Sequence, residues 1–188
     1  MAAAVIAVLV LVGVGTLGRA LVHAPAPATG PHRQAPVITS RYYGYAEALP
    51  AGWRPAGQAT QQWDGTGAPA DLSNVTDLFL GPGGLEAWAV AAPTREHLAA
   101  YTTTAIQAAA AVHSCAAVPQ TSQAITIGGA PARLLGMQCP AGSGFLVEIA
   151  VTIHDGTAFV FSSQNPTGTK ATDRPAFRAF LAGIRLHR

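Results

Sequence analysis

The stretch from Phe145 to Ser162 constrains the fold more than any other part of the sequence. Apolar and polar residues alternate as far as His154, and Asp155-Gly156 then provides a pair that favours a two-residue type I′ turn. A second strand-like stretch begins at Thr157, directly after the turn. Because two strands joined by so short a turn pair in the antiparallel sense, the sequence predicts a hairpin in an antiparallel sheet.

Two amphipathic helices are expected to cover this sheet. The first runs from a cap at Thr94 to about Ser114, and its apolar stripe is rich in alanine. The second begins at Asp173. Spacings of three and four residues predict these buried positions: Leu98, Tyr101, Ala105, Ile106, Ala109 and Val112 in the first helix, and Phe177, Phe180, Leu181 and Ile184 in the second.

The other strands are short and bounded by glycine or proline turns. We expect them at Tyr42–Leu49, Val75–Leu80, Leu85–Ala91, Ala124–Ile127 and Ala132–Gln138. This order predicts an α+β fold, an antiparallel β-sheet of about six or seven strands flanked by helices in an α/β/α sandwich and preceded by an N-terminal apolar helix.

The first eighteen residues carry no charged side chain. Seventeen apolar residues form a helix of roughly 26 Å, at the short edge of what spans a bilayer. Residues 1–18 are therefore predicted to be a transmembrane anchor or, alternatively, a signal peptide cleaved near Ala28. Residues 19–40 form a Pro/Ala-rich linker, and residues 41–188 form the domain.

The location of the domain rests on two conflicting signals. Arg19, Arg33 and Arg41 come after the apolar run, and the positive-inside rule would place the C-terminal domain in the cytoplasm. Cys115 and Cys139 are the only cysteines, and we expect a structural disulfide between them, which suits an oxidising space. Two free buried thiols in a cytoplasmic protein are the alternative. We expect a single-pass cell-membrane protein with an extracytoplasmic C-terminal domain. Secretion after cleavage is the alternative.

Known catalytic and metal-binding motifs are not found in the sequence. His97 and His113 lie over four turns apart on one helix, so they cannot share a metal ion. Ser143 lacks the nucleophile elbow, and Gly168-Thr169-Lys170 lacks the upstream glycine of a phosphate loop. No cofactor or metal is expected. Glu148 is expected to be solvated or paired with Arg133.

Charge and aromatic residues bear on possible partners. The formal net charge is only +2 without a basic cluster, which argues against nucleic acid. Trp53, after a Pro-x-Gly turn, is expected in the core. Trp63 and Trp88 are possible members of a ligand or partner surface, although core packing is the alternative.

The order of several short motifs resembles the Mog1/PsbP-like superfamily, most of all its exported actinobacterial members. The resemblance covers about residues 42–188 and implies an α/β/α sandwich with mostly non-enzymatic roles in binding or assembly. Many exported relatives are lipoproteins, whereas this sequence has no cysteine before Cys115. The motifs are Leu49-Pro50-x-Gly52-Trp53, the helix at 94–114, Ile127-Gly128-Gly129-x-Pro131-Ala132, the Asp155-Gly156 hairpin and Phe177-x-x-Phe180-Leu181-x-x-Ile184.

These observations favour a non-catalytic binding or assembly domain tethered to the bacterial cell envelope. Its partner would be another envelope protein or an apolar small molecule. A lipid or small molecule held beneath the alanine-rich helix is the alternative, and a hydrolase using Glu148, His154 and a serine is a further one. The membrane contact would come through residues 1–18.

Overall fold

The computed structural model describes residues 35–63, 72–113, 115, 119–139 and 145–187. The chain separates into two units, Met1–Arg33 and Gln34–Arg188. The first unit, which contains the predicted anchor or signal, lies outside the described residues. Within the described ranges, no helix combines the length and apolarity that crossing a bilayer requires.

Strands dominate the described residues. Three α-helices accompany them, and a short 3-10 turn at Pro82–Gly84 links the fourth and fifth strands. The elements are β1 (Val37–Thr39), β2 (Tyr45–Ala48), β3 (Arg54–Gly57), α1 (Leu72–Val75), β4 (Asp77–Leu80), β5 (Glu86–Pro93), α2 (Leu98–His113), β6 (Thr121–Ile127), β7 (Ala130–Gln138), β8 (Leu146–His154), β9 (Thr157–Gln164), α3 (Asp173–Ala182) and β10 (Ile184–Leu186).

The strands form two antiparallel sheets. The main sheet has seven strands in the order β3-β4-β5-β9-β8-β7-β6, and the small sheet has three in the order β1-β2-β10. The predicted α+β class and the antiparallel sheet flanked by helices are thus confirmed. The small sheet was not predicted.

The predicted hairpin is the β8–β9 pair, which runs in register from Val147 opposite Gln164 to His154 opposite Thr157. Asp155 and Gly156 have φ angles of 46° and 73°, the left-handed values that a type I′ turn requires. The alternation along β8 then directs its odd-numbered apolar residues to one face and its even-numbered residues to the other.

Each face of the main sheet buries its own hydrophobic core. On one face, Tyr101 and Ala105 of α2 pack on Val147, Ile149 and other buried residues of β7, β8 and β9. On the other face, α3 and the small sheet bury a larger, aromatic core. Trp53 belongs to this second core, as predicted, with its ring centroid 4.7 Å from that of Phe180.

Several predicted boundaries differ from the structure. β1 lies within residues 19–40, which the sequence assigned to a linker, because three residues pair there with β2. Val75 was predicted to begin a strand and instead ends α1. Ile184 was assigned to the last helix, but α3 ends at Ala182 and Ile184 pairs with Glu47 in the small sheet.

The α2 helix also differs in detail. It begins at Leu98, and the Thr94 hydroxyl accepts a hydrogen bond from the Glu96 N–H in the preceding turn at 3.1 Å. Val112, expected on the buried stripe, is 41% exposed, and Ala110 is buried instead.

Candidate functional site

The predicted disulfide between Cys115 and Cys139 is present. It joins the residues that come after α2 to the end of β7, so the helix is covalently tied to the sheet it covers. Cys139 is fully buried in the core beneath α2. The bond therefore contributes to the stability of this half of the domain.

Glu148 lies in a different environment from the one predicted. Its side chain is only 8% exposed and contacts Arg174 of α3, with 3.7 Å between Nε and Oε1. The prediction of a solvated carboxylate or a pair with Arg133 is wrong, because Arg133 lies opposite Val151 and points to the α2 face of the sheet. Burial raises the pKa of Glu148, while the charges of Arg174 and Arg178 lower it and Asp173 raises it further.

The three groups of the hydrolase hypothesis do not converge. Ser163 lies opposite Glu148 across the β8–β9 pair and is 2% exposed. His154, however, is six residues further along β8, roughly 20 Å from Glu148. Its Nε2 instead lies 3.6 Å from Asp155 Oδ2 in the hairpin turn.

The other residues considered for chemistry have structural contacts or lie outside the described residues. The Thr169 hydroxyl accepts a hydrogen bond from Leu146 N–H at 2.7 Å, and the Lys170 ammonium donates to the Gly83 carbonyl. His97 is exposed. Ser143 and the His113 side chain are outside the described part. Within it, no three His, Cys, Asp or Glu side chains gather in a way that would hold a metal ion.

The two candidate tryptophans occupy different settings. Trp88 is half-buried on β5, opposite Leu78 and Ser162, on the face that also carries α2. The Trp63 N–H donates to the Tyr43 hydroxyl at 3.2 Å, in the part of the domain that holds the aromatic core. Among the described residues, the buried Trp63 Nε1 has no hydrogen-bond partner.

A buried polar cluster joins the small sheet to the main one. Asp77 on β4 is 2% exposed. It accepts hydrogen bonds from the Ser40 hydroxyl at 2.5 Å, the Tyr45 hydroxyl at 2.7 Å and the Ala59 N–H at 2.9 Å. Burial, followed by the negative charge of Asp77, raises the pKa of Tyr45 well above its usual value. Three donors satisfy the carboxylate, so this cluster has a structural role.

Glu47 is the one acid on β2, and it is buried without a hydrogen bond. Its exposure is 0%, and neither carboxyl oxygen has a partner among the described residues. Desolvation by burial raises its pKa to about 9, so the group is protonated at neutral pH. A neutral carboxylic acid is the form that a core position tolerates.

A pocket of about 180 Å³ opens on the face of the main sheet that also packs the small sheet. Tyr42, Tyr43 and Phe159 supply aromatic walls, and Gln62 and His187 supply polar groups. The Tyr43 hydroxyl is already engaged, since it donates to the Val75 carbonyl. Pockets for drug-sized ligands are roughly 300–1,000 Å³, so this one has room for a smaller group only.

Neither Glu47 nor the Asp77 cluster was predicted, although the sequence contains a usable signal for Glu47. Tyr43, Tyr45, Glu47 and Leu49 are spaced by two residues and therefore share one face of an extended segment. Three large apolar side chains on that face identify it as the buried one. The partners of Asp77 come from distant segments, and no local pattern indicates them.

No family model matches the chain, and no curated protein matches it. Among solved structures, the cyanobacterial PsbP protein CyanoP from Synechocystis sp. PCC 6803 aligns with a TM-score of 0.54 at 11% identity, over 87% of this chain and 98% of that one. The chain therefore shares the fold of this PsbP protein.

Two further structures align with lower scores. The Ran-binding protein Mog1p from Saccharomyces cerevisiae gives a TM-score of 0.45 at 8% identity, over 76% of this chain and 90% of that one. A protein from Bacteroides thetaiotaomicron gives 0.49 at 14% identity, over 83% of this chain and 50% of that one. The chain thus spans half the length of the Bacteroides protein.

Proposed function

We propose that the chain is a non-catalytic binding or assembly domain of a bacterial cell envelope, held at the membrane by residues 1–18 with the folded domain outside. It would belong with exported actinobacterial proteins of the same fold. The composition supports this placement, since the sequence has ten arginines and a single lysine. The partner would be another envelope protein.

The Cys115–Cys139 disulfide is the observation that carries this proposal. Structural disulfides persist in oxidising compartments and are rare in the bacterial cytosol. No Cys-x-x-Cys motif accompanies the pair, which favours a structural bond over a catalytic one. The disulfide, which is buried at Cys139, favours export of the domain. The arginines that follow the apolar run favour a cytoplasmic domain, and we give the disulfide more weight.

A role in binding is supported by the distribution of the reactive side chains. Glu148 is engaged by Arg174, and His154 lies about 20 Å away along the same strand. The face of β4 and β5 offers half-buried apolar side chains instead, including Leu78, Trp88 and Val90. Such residues are typical of protein interfaces.

The structure gives less support to a bound lipid. Beneath α2, Tyr101 and Ala105 pack directly on buried residues of the sheet. The pocket of about 180 Å³ lies on the opposite face and is smaller than the roughly 300–1,000 Å³ of typical ligand pockets. We therefore propose a protein partner and not an apolar small molecule.

A topology reporter tests the location directly. We would fuse alkaline phosphatase, which is active only outside the cytoplasm, after Arg188 of the full chain and express the fusion in a bacterial host. The proposal predicts phosphatase activity in intact cells and fractionation with membranes. The matched control lacks residues 1–18 and should show neither. Activity of a cytoplasm-dependent reporter at the same position, with a silent phosphatase fusion, would contradict the proposal.

A further inference from the structure

The two edges of the main sheet differ in how they are protected. β3 is only four residues long, contains Arg54 and Pro55, and has a register shift between Pro55 and Gly57 where it pairs with β4. A short strand, a charge, a proline and a bulge are the devices by which natural sheets prevent the addition of another strand. The β3 edge is therefore closed to strand addition.

The opposite edge, β6, has none of these devices. Its seven residues include no proline and no charge, and they pair with β7 at seven consecutive positions without a shift. Among the described residues, no strand pairs with the outer side of β6. Five of the seven, Thr121–Ala124 and Thr126, are exposed. The edge can thus accept a further strand through its outward main-chain groups.

Arginines flank this edge on both faces of the sheet. Arg133 on β7 lies opposite Ala124, is exposed and points to the α2 face. On the other face, the Arg178 guanidinium donates to Gln123 Oε1 at 2.6 Å. A Cβ placed on Gly136, the residue opposite Thr121, would lie 3.8 Å from Arg174 Nη2.

Arg174 is partly balanced by Glu148 of β8, 3.7 Å away, but the two strands at the edge supply no negative charge. β6 and β7 contain no acidic residue. Across the described residues, all eight Lys and Arg side chains are exposed, whereas four of the seven acids are buried: Glu47, Asp77, Glu148 and Asp173. The β6 edge therefore offers unpaired main-chain groups to a further strand, and the arginines around it make its surroundings positively charged.

We propose that β6 binds an extended acidic segment of another protein, which adds to the main sheet as an eighth strand. Main-chain hydrogen bonds would supply affinity, and acidic side chains facing Arg133, Arg174 and Arg178 would supply selectivity. A second copy of this chain fits less well, since it would bring the same arginines to the shared edge. This inference rests on the proposed function, because it names the partner chemistry of the binding domain.

A synthetic peptide tests the inference with the purified full chain in detergent micelles. The probe is a blocked, labelled peptide about as long as β6 in which pairs of adjacent glutamates are separated by valine, so that an added strand carries glutamate on both faces, and its binding is followed by fluorescence anisotropy. We expect saturable binding that weakens with salt. A peptide with lysine in place of glutamate, and one with alternate amides methylated, should each lose binding.

Two charge reversals provide the matched variants. Arg133→Glu, beside β6, should lower the affinity for the acidic peptide by about fivefold and raise the affinity for the lysine peptide. Arg54→Glu makes the same change at the β3 edge and should leave both affinities unchanged. Both side chains are exposed, so both variants should fold.

Several results would overturn the inference: no binding of the acidic probe, equal binding of the methylated probe, or equal losses in the two variants. A dimer in sedimentation that Thr126→Lys dissociates would assign the edge to a second copy and would also overturn it. The titration does not depend on the membrane side. If the acidic probe binds but the topology reporter places the domain in the cytoplasm, only the proposed location is refuted. If the probe does not bind but the reporter places the domain outside, only the strand-addition inference is refuted.

Discussion

The Glu47 carboxyl lies against Gly183, the residue between α3 and β10. A Cβ on Gly183 would come within 2.5 Å of Glu47 Oε1 and would also collide with the Ala48 carbonyl oxygen. The Gly183 carbonyl accepts a hydrogen bond from Ala48 N–H at 3.1 Å, so neither backbone can move away easily. Closing the helix onto the small sheet thus requires a residue without a side chain.

Replacing Gly183 with alanine should therefore destabilise the domain. Overpacking of this kind costs about 1–3 kcal/mol, which urea unfolding with the disulfide intact would measure. Gly57→Ala is the matched control, because a Cβ there would meet Leu78 Cβ at an ordinary 3.7 Å. Equal stabilities for the two variants would contradict this prediction, because they would show that the end of α3 shifts to accommodate the added methyl group without cost.

Glu47 should make stability fall as the pH rises. The folded-state pKa is about 9 against 4.5 for the free side chain, so between these values the unfolded chain releases a proton that the folded chain retains. This group alone lowers the free energy of unfolding by about 1.4 kcal/mol per pH unit in that window, and its destabilising effect is absent below pH 4.5.

Glu47→Gln removes this titration while preserving the shape of the side chain. We expect the variant to gain stability over the parent steadily from pH 5 to pH 8, measured by urea unfolding at each pH. Glu96→Gln, at an exposed position, serves as the control and should show a difference that stays flat with pH. A flat difference for Glu47→Gln as well would mean that the carboxyl is solvated in the folded protein.

The Tyr45 hydroxyl should contribute measurably to stability through Asp77. Tyr45→Phe removes one of the three donors to a buried carboxylate and should cost about 1–3 kcal/mol in thermal or urea unfolding. Tyr42→Phe removes a hydroxyl that donates to the Thr60 carbonyl at 2.7 Å in an exposed setting and should cost less. The prediction fails if the two losses are the same.

The disulfide should stabilise the domain by restricting the unfolded chain. It spans 24 residues, for which chain entropy gives about 3 kcal/mol. The double variant Cys115→Ala, Cys139→Ala should unfold at a correspondingly lower urea concentration, and a reductant should shift the parent but not the variant. An unchanged midpoint for the reduced parent would remove any stabilising role for the bond.

Local patterns predicted the elements whose signals are long and periodic. Alternation along 145–154 and the Asp155-Gly156 turn defined the β8–β9 hairpin correctly. The three short strands β1, β3 and β10 escaped prediction, because three or four residues are too few to show a period. Their pairing is set by tertiary contacts, such as those of β2 with both β1 and β10.

Side-chain partners were harder to predict than elements. The wrong pairing of Glu148 with Arg133 came from treating both as polar-face residues of neighbouring strands. The register of β7 against β8 decides which face of the sheet Arg133 and Glu148 occupy. A shift of one residue would move a side chain to the opposite face. Arg174 reaches Glu148 from a helix 26 positions later in the chain, which no strand pattern anticipates.

Thiol trapping in living cells tests the central claim most directly. Cells expressing the full chain would be lysed into an alkylating reagent under denaturing conditions, and the intact mass of the chain would be measured with and without prior reduction. An exported, disulfide-closed domain predicts that Cys115 and Cys139 are labelled only after reduction. Labelling of both cysteines without reduction would contradict the disulfide in the cell and, with it, the extracytoplasmic location.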